Sequence, residues 1–497
     1  MNPILSKQIE EANRVMTANH ETETPGAEDR RAETSPQNGK KGGRPEVDYQ
    51  QVADSFNTWL GAPLMRWRGK WWQYRKELAY KEITEDAASG LFSEFSIVAG
   101  VKYSINLRRN VFDAMKKNRV DDALNMPAWI DTGQRADGWV SMQNGLLDVY
   151  AAGRGEAEPM RPHSPNFFAS YSFPFPYTPN APAPKFTAFL ESTLNDEEAR
   201  RIILKMYGLL LVPLTRYNVF FVLYGPGGSG KSTCLNIIEK ILGDDNCCHI
   251  RPAQFDEKHS LVGLAHCLAN LVDEKGWLKS GVHDMEEIEA TLKRITDGGK
   301  VWIEPKGVDG KSLAATARCV FTQNPPLPQF ADRDPALWDR MRFLVFPNRI
   351  RGTEGQKVNL ADEIVKEEGA AIFAMAVRGL GALLRENPTL FPHTPDGFRL
   401  LEEHREACDK EKQFLLENYE LDSCGKVETL QVYSAYRTWC IEHGYGKKND
   451  SNFAEEVRRV FPTIQKQQIQ ILGKRGVYWV GIVPRSYEPQ EEMPPVW

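Results

Sequence analysis

Several kinds of protein are excluded by what this chain does not contain. No apolar run approaches the roughly 18 residues that a membrane span requires. The first residues, rich in Glu, Thr, Asn and Lys, lack the apolar centre of a secretory leader. Eight cysteines in 497 residues never fall in a C-x-x-C spacing, so neither a zinc ribbon nor a disulfide framework is expected. Their one cluster, Cys247-Cys248-His249, reads as a surface loop without a ligand role. Reduced thiols and a cytoplasmic location follow as expectations. Charge of one sign is also scarce: the net charge is −5, so contact with nucleic acid would need local basic patches rather than an overall field. A two-metal nucleotide-polymerising site needs paired carboxylates, commonly as D-x-D on a strand. No such triplet precedes residue 225. The one that occurs, Asp332-Arg333-Asp334, lies in a turn-rich stretch. No internal repeat is visible.

What remains is an ordinary globular composition, 41% hydrophobic and 26% charged, long enough for about three domains. Residues 1–46 hold almost no large apolar residue from position 17 onward and read as a disordered tail. Residues 47–184 form an N-terminal accessory region, expected to be mainly helical. Within it Trp59, Trp67, Trp71, Trp72 and Tyr74 interleave with Arg66, Arg68, Lys70, Arg75 and Lys76. That pattern suits a single-stranded nucleic acid, whose bases stack on rings. It equally suits a hairpin turning at Arg68-Gly69-Lys70 with its aromatics in a core, and tryptophans this dense favour the core. A helical pattern lies near Asn110–Asn118. Trp139–Val149 reads as two short strands joined by Asn144-Gly145, and Phe173–Pro184 is a proline-rich connector. Residues 185–350, beginning with lead-in helices to Leu211, alternate strand and helix as an α/β unit. Residues 351–424 are helical, with Ala370–Leu384, a break at Pro388–Pro395 and one long helix over Asp396–Tyr419. Residues 425–497 give two helices (Leu430–His443, Phe453–Phe461) and two strands around Gly473-Lys474-Arg475-Gly476, the order of a winged helix. Arg458, Arg459, Lys466, Lys474 and Arg475 could meet DNA there, or the unit could dock protein.

The most specific stretch is Gly225-Pro226-Gly227-Gly228-Ser229-Gly230-Lys231-Ser232-Thr233, which satisfies G-x-x-x-x-G-K-[ST]. An apolar run, Val219–Tyr224, precedes it and reads as a buried strand. A helical pattern from Cys234 to Leu242 follows and stops at Gly243. A strand, a glycine loop and a helix N-terminus make a phosphate cradle, with backbone N–H groups turned inward. Lys231 is expected to reach the β- and γ-phosphates of ATP, and Ser232 to ligate Mg²⁺. Beyond Lys231 by 42 residues, the run Leu268–Val272 ends in Asp273-Glu274. Asp273 could hold the metal ion and Glu274 could polarise the attacking water. A further apolar segment, Cys319-Val320-Phe321-Thr322-Gln323, ends in Asn324, which could orient that water or simply start a turn before Pro325 and Pro326. Arg340 could act on a neighbour's nucleotide or make a surface ion pair. Between these pieces lie Lys293 and the tip Pro305-Lys306-Gly307, a cation-bearing loop that could follow phosphates or merely face solvent.

In this order, the phosphate loop, Asp-Glu strand, lysine hairpin, Asn and downstream arginine resemble superfamily 3 helicases, an AAA+ branch. The particular likeness is to the phage and plasmid primase–helicase type, which also includes the poxvirus primase–helicase. The likeness spans roughly residues 60–483 and is most specific at 218–346. Asn144–Asp148 with the proline-rich connector resembles that type's region before the ATPase, and Tyr433–Gly444 with Tyr478–Ile482 resembles its winged helix. The resemblance implies a homo-oligomeric ring, usually hexameric, with ATP between subunits and single-stranded DNA in the channel. It implies that Lys231, Ser232, Asp273, Glu274 and Asn324 act within one subunit, Arg340 acts across the interface, and Lys306 touches DNA. Two departures stand out. The arginine pair often found after the Trp reads Asp339-Arg340 here, with another arginine at Arg342. Pro325-Pro326-Leu327-Pro328 lengthens the segment after Asn324 by one residue. The type often carries an N-terminal primase domain, but the missing D-x-D makes primer synthesis unexpected, so a separate primase would be a partner. The function expected is an ATP-driven DNA helicase for replication of a phage, plasmid or related mobile element in a bacterial or phage-infected cell. The alternative is a switch or initiator of the same fold that binds DNA without unwinding it.

Overall fold

The computed structural model describes residues 47–75, 79–115, 120, 124, 126–255, 257, 260–265, 267–273, 285–303, 311–327, 335–350, 352, 359–471 and 474–485. The tail over 1–46 and the triplet Asp332-Arg333-Asp334 lie outside these residues. Among the described residues no helix is long and apolar enough to cross a membrane.

A five-stranded parallel sheet lies at the centre. Its strands run in the order Cys247–Cys248, Ala269–Val272, Arg318–Gln323, Phe220–Tyr224, Met341–Val345. Its sequence explains why it is buried on both sides. In an extended strand successive side chains point to opposite faces. Phe221 and Leu223 accordingly enter one apolar core while Phe220 and Val222 enter another. Val320 and Leu271 join the first, and Phe321 and Val272 the second. Fully burying each such side chain stabilises by about 1.5–3 kcal/mol, so the unbroken apolar runs are what a two-sided parallel sheet demands.

One face is covered by the helices Glu197–Leu210, Lys231–Leu242 and the 27-residue Leu360–Glu386. The long helix lies close against Glu197–Leu210: a Cβ on Gly208 would meet the Ala376 carbonyl oxygen at 2.3 Å, and one on Gly379 the Leu204 oxygen at 2.2 Å. The other face is covered by Met285–Thr296, Pro335–Arg340 and Pro395–Ala407. The helices of 351–424 are therefore divided. Leu360–Glu386 and Pro395–Ala407 belong to the central cores, whereas Lys410–Asn418 contributes Phe414 and Leu415 to the C-terminal core. The single helix expected over Asp396–Tyr419 is broken at Cys408-Asp409, where the Asp409 carboxylate accepts from the Lys412 N–H at 3.0 Å and caps a new helix. Cys247-Cys248-His249, expected as a surface loop, is instead an edge strand and its continuation. Cys247 is buried, and His249 Nδ1 lies 2.8 Å from the Leu271 carbonyl oxygen.

The N-terminal region is mixed rather than mainly helical. Leu64–Trp67, Lys70–Tyr74 and Tyr80–Ile83 form an antiparallel sheet with the helices Tyr49–Leu60, Glu85–Val98 and Ile105–Met115 beside it. The turn between the first two strands places Arg68 at φ 48° and Gly69 at φ 79°, the left-handed pair of a tight hairpin. Trp71 packs into the helical side, and Trp67 and Trp72 pack on the opposite side against Phe168. Of the two readings of this aromatic stretch, the core is what forms. The strands Trp139–Met142 and Gly145–Asp148 pair as expected, and Val140, Met142 and Leu147 reach into the central core. The C-terminal unit has a three-stranded antiparallel sheet in the order Tyr419–Glu428, Lys474–Pro484, Gln465–Ile471. It is packed on Thr429–Glu442 and Asp450–Val460, with Tyr436 and Phe453 stacked 4.1 Å apart.

Candidate nucleotide site

In an open parallel sheet, the crevice for ligands opens at the carboxyl ends of the strands, where neighbouring strands diverge in chain order. Phe220–Tyr224 is such a strand, lying between the later strands Arg318–Gln323 and Met341–Val345. The loop 225–230 leaves its carboxyl end, Asn324 follows the carboxyl end of one neighbour, and Asp273 follows the strand beyond. The sheet thus brings residues far apart in the chain to one edge.

The loop is held from both sides. Gly225 N–H donates to the Gln323 carbonyl at 3.2 Å, and Ile350 N–H donates to the Gly228 carbonyl at 2.9 Å. Gly230, at φ 94°, is the N-cap of Lys231–Leu242, and a Cβ there would lie 2.6 Å from Thr193 Cγ2. Only glycine fits that position. Because glycine has no side chain, the helix starts without a side-chain cap at the loop. Pro226, Gly227 and Ser229 complete the turn.

Lys231 is only 4% exposed. Its ammonium donates to the carbonyls of Gly225 (2.8 Å) and Pro226 (2.9 Å), to Ser229 Oγ (3.3 Å) and to Asn324 Oδ1 (2.8 Å). The last bond joins residues 93 apart in the chain and brings Asn324 to the loop. Its amide nitrogen faces the loop, 3.9 Å from where a Cβ of Gly227 would sit. Ser232 Oγ donates to Asp273 Oδ1 at 3.0 Å. The same carboxylate oxygen accepts from Thr322 Oγ1 at 2.6 Å. Thr322 was missed by sequence reasoning: a β-branched residue inside an apolar strand reads as filler. Its signal was a hydroxyl at the strand end, next to Gln323-Asn324. A serine hydroxyl beside a carboxylate is an all-oxygen donor set, which fits a hard divalent cation such as Mg²⁺.

The other predicted residues are placed less centrally. Arg340, on Pro335–Arg340, makes a forked ion pair with Asp297: Nε to Oδ1 at 3.0 Å, and Nη2 to both oxygens at 2.8 and 2.9 Å. Arg342 is 1% exposed and donates to the carbonyls of Phe391, Asp339 and Met341. Burial pushes its pKa down to about 10. That arginine is part of the sheet's packing. Lys293 lies half-buried in the last turn of Met285–Thr296. Arg475 donates to Gln468 Oε1 at 3.1 Å across the C-terminal hairpin, and Lys474 begins the same strand. Glu274 and Lys306 lie outside the described residues.

Comparison with known proteins adds three family matches along the chain. Residues 56–195 match a family described as D5 N terminal like, residues 223–340 a family of unknown function (DUF5906), and residues 409–486 the RFX DNA-binding domain. The last match begins at Asp409, the N-cap of Lys410–Asn418. Among solved structures, the apo A form of the NrS-1 C-terminal region is similar at 11% identity and a TM-score of 0.50, over 86% of this chain and 98% of that one. A second apo structure of that region (305–718) gives 12% identity and a TM-score of 0.50, over 88% and 100%. At such identity the likeness is one of fold.

Proposed function

We propose that this chain is a replication helicase of the phage primase–helicase type, which binds ATP and Mg²⁺ at the 225–233 loop and couples hydrolysis to movement along DNA. The observation that carries this reading is the joining of Lys231 to Asn324 and of Ser232 to Asp273 at the carboxyl edge of one parallel sheet. The AAA+ core and the C-terminal winged helix belong to the same proposal. The D5 N terminal like match, a primase–helicase-like region, supports the family, and the RFX DNA-binding match supports a DNA-contacting C-terminal unit.

In this reading the carbonyls of Gly225 and Pro226 hold the Lys231 ammonium until phosphate oxygens replace them. The amides of Lys231, Ser232 and Thr233 then bind the phosphates. Ser232 and Asp273 hold Mg²⁺, which neutralises charge on the phosphate oxygens when bound. Thr322 fixes the Asp273 carboxylate. Glu274 accepts a proton from the attacking water, and the Asn324 amide orients that water. Arg340, presented with Asp297, reaches a neighbouring subunit's nucleotide in a homo-oligomeric ring, with Lys306 and Lys293 facing DNA in the channel and Lys474 and Arg475 meeting DNA at the C-terminal unit. An initiator that binds DNA without unwinding it would use the same nucleotide site.

The test is nucleotide binding and turnover by paired variants. Lys231→Ala is expected to lose ATP binding. Glu274→Gln is expected to bind ATP as tightly as the wild type and hydrolyse it about 10²–10⁴-fold more slowly. Equal turnover by Glu274→Gln and wild type would remove Glu274 from the mechanism, and ATP binding retained by Lys231→Ala would remove the site.

A further inference from the structure

The nucleotide loop has two unlike flanks. Ala269–Val272 and Arg318–Gln323, which lead into Asp273 and Asn324, lie on one side of Phe220–Tyr224 in the sheet. Met341–Val345 lies on the other side. The chain leaving that strand stays against the loop. Phe346 N–H donates to the Tyr224 carbonyl at 2.7 Å, and a Cβ on Gly225 would meet the Phe346 carbonyl oxygen at 2.2 Å. The helix Pro184–Thr193 ends beside it, with Thr193 and Phe189 the side chains that a Cβ on Gly230 would meet. With Asp273 and Asn324 at the γ-phosphate, a nucleotide lying along the loop carries its base toward this second flank.

Two asparagines join there. Asn348 Nδ2 donates to the Ser192 carbonyl at 3.0 Å and to Asn195 Oδ1 at 2.7 Å, which uses both hydrogens of that amide. The backbone beneath each is held. Arg200 Nη1 donates to the carbonyls of Leu194 (2.7 Å) and Asn195 (3.3 Å), while Ile350 N–H binds Gly228 two residues beyond Asn348. The pair leaves one acceptor, Asn348 Oδ1, and one donor, Asn195 Nδ2. Neither has a hydrogen-bond partner among the described residues, and Asn195 is exposed while Asn348 is half-buried. A donor and an acceptor match one edge of adenine, where N7 accepts and the N6 amino group donates. Guanine offers two acceptors, N7 and O6, on the same edge.

We propose that Asn195 and Asn348 form the base subsite of the nucleotide loop and select adenine. Asn348 Oδ1 accepts from the N6 amino group, and Asn195 Nδ2 donates to N7. The proposal rests on the nucleotide-binding part of the helicase reading and deepens it by naming what distinguishes ATP from other triphosphates.

The experiment measures equilibrium binding of diphosphates, which are not turned over, to the full-length protein with Mg²⁺. Wild type is expected to bind ADP about 5- to 150-fold more tightly than GDP, the discrimination of one bidentate base contact. Two analogues each lack one partner atom: 7-deaza-ADP has no N7, and purine riboside diphosphate has no 6-amino group. Both are expected to bind wild type more weakly than ADP. Asn195→Ala is expected to bind ADP and 7-deaza-ADP equally, and Asn348→Ala to bind ADP and the purine analogue equally. Such atom-by-atom matching would not arise from a brace that merely holds the helix end. Pyrophosphate, which has no base, is expected to bind wild type and both variants alike. Equal affinity of wild type for ADP and GDP, or for ADP and both analogues, would overturn the base subsite whatever the variants do. Loss of pyrophosphate binding in the variants would make the pair a brace of the loop and overturn the subsite as well. In either case the nucleotide site stands if wild type binds pyrophosphate and Lys231→Ala does not. A wild type that binds neither ADP nor pyrophosphate would overturn both readings.

Discussion

Lys231 and Asn324 show how much of the site rests on single contacts. The Lys231–Asn324 bond of 2.8 Å leaves the asparagine's other amide end directed at the loop. If Asn324 orients water rather than binding nucleotide, Asn324→Ala keeps ATP affinity within a few-fold and lowers kcat by about 10²–10³, the cost of losing one preorganised hydrogen-bond donor. Single-turnover hydrolysis beside equilibrium ATP binding separates the two. An equal loss of affinity would make Asn324 a binding residue. The glycine loop was legible because its signal is local: glycines, lysine and hydroxyl occur in one run with an apolar strand before it and a helix after it. Asp273 and Asn324 were legible as apolar runs ending in polar residues. Thr322 was not, since only the sheet register shows its hydroxyl beside Asp273. Arg342 was not separable from Arg340 by sequence, because two arginines on one side of a helix–strand junction differ only in which one the strand buries.

At the scale of elements, the helix break at Cys408-Asp409 shows what local reading overlooks. No glycine or proline marks it, and an aspartate capping Lys412 ends one helix and begins the next. Cys247–Cys248 is likewise hidden from local patterning, because a two-residue strand is too short to show alternation. The segment between Leu360–Glu386 and Pro395–Ala407 carries its own prediction. His393 there is pushed down to about 4 by burial and, secondarily, by the charge of Arg342. The unfolded chain, with an ordinary histidine near 6.5, then binds more protons than the native chain between these values. This contribution to stability is complete above about pH 6.5 and is lost as the pH falls toward 4. Thermal melts over that range are expected to show the midpoint falling with acid, and His393→Phe to reduce the slope. An unchanged slope in the variant would assign the acid sensitivity to other groups.

At the scale of the whole molecule, the claim is that neighbouring copies complete one another's nucleotide sites. Arg340 is the residue through which this would show, since within its own chain it is paired with Asp297 rather than with Lys231, Ser232 or Asp273. Arg340→Ala subunits titrated into wild-type protein are expected to depress ATPase activity more than in proportion to their fraction. A strictly linear decline would place the transition-state cation elsewhere. The sequence could propose a ring because the order of its pieces resembles known ring-forming helicases, but composition and spacing carry no information about an interface between copies. The measurement that tests the account most directly is strand separation of a forked DNA duplex by the purified protein. The account predicts separation that requires ATP and Mg²⁺ and disappears in Lys231→Ala. Steady ATP hydrolysis with the duplex left intact, whichever tail the fork carries, would contradict it.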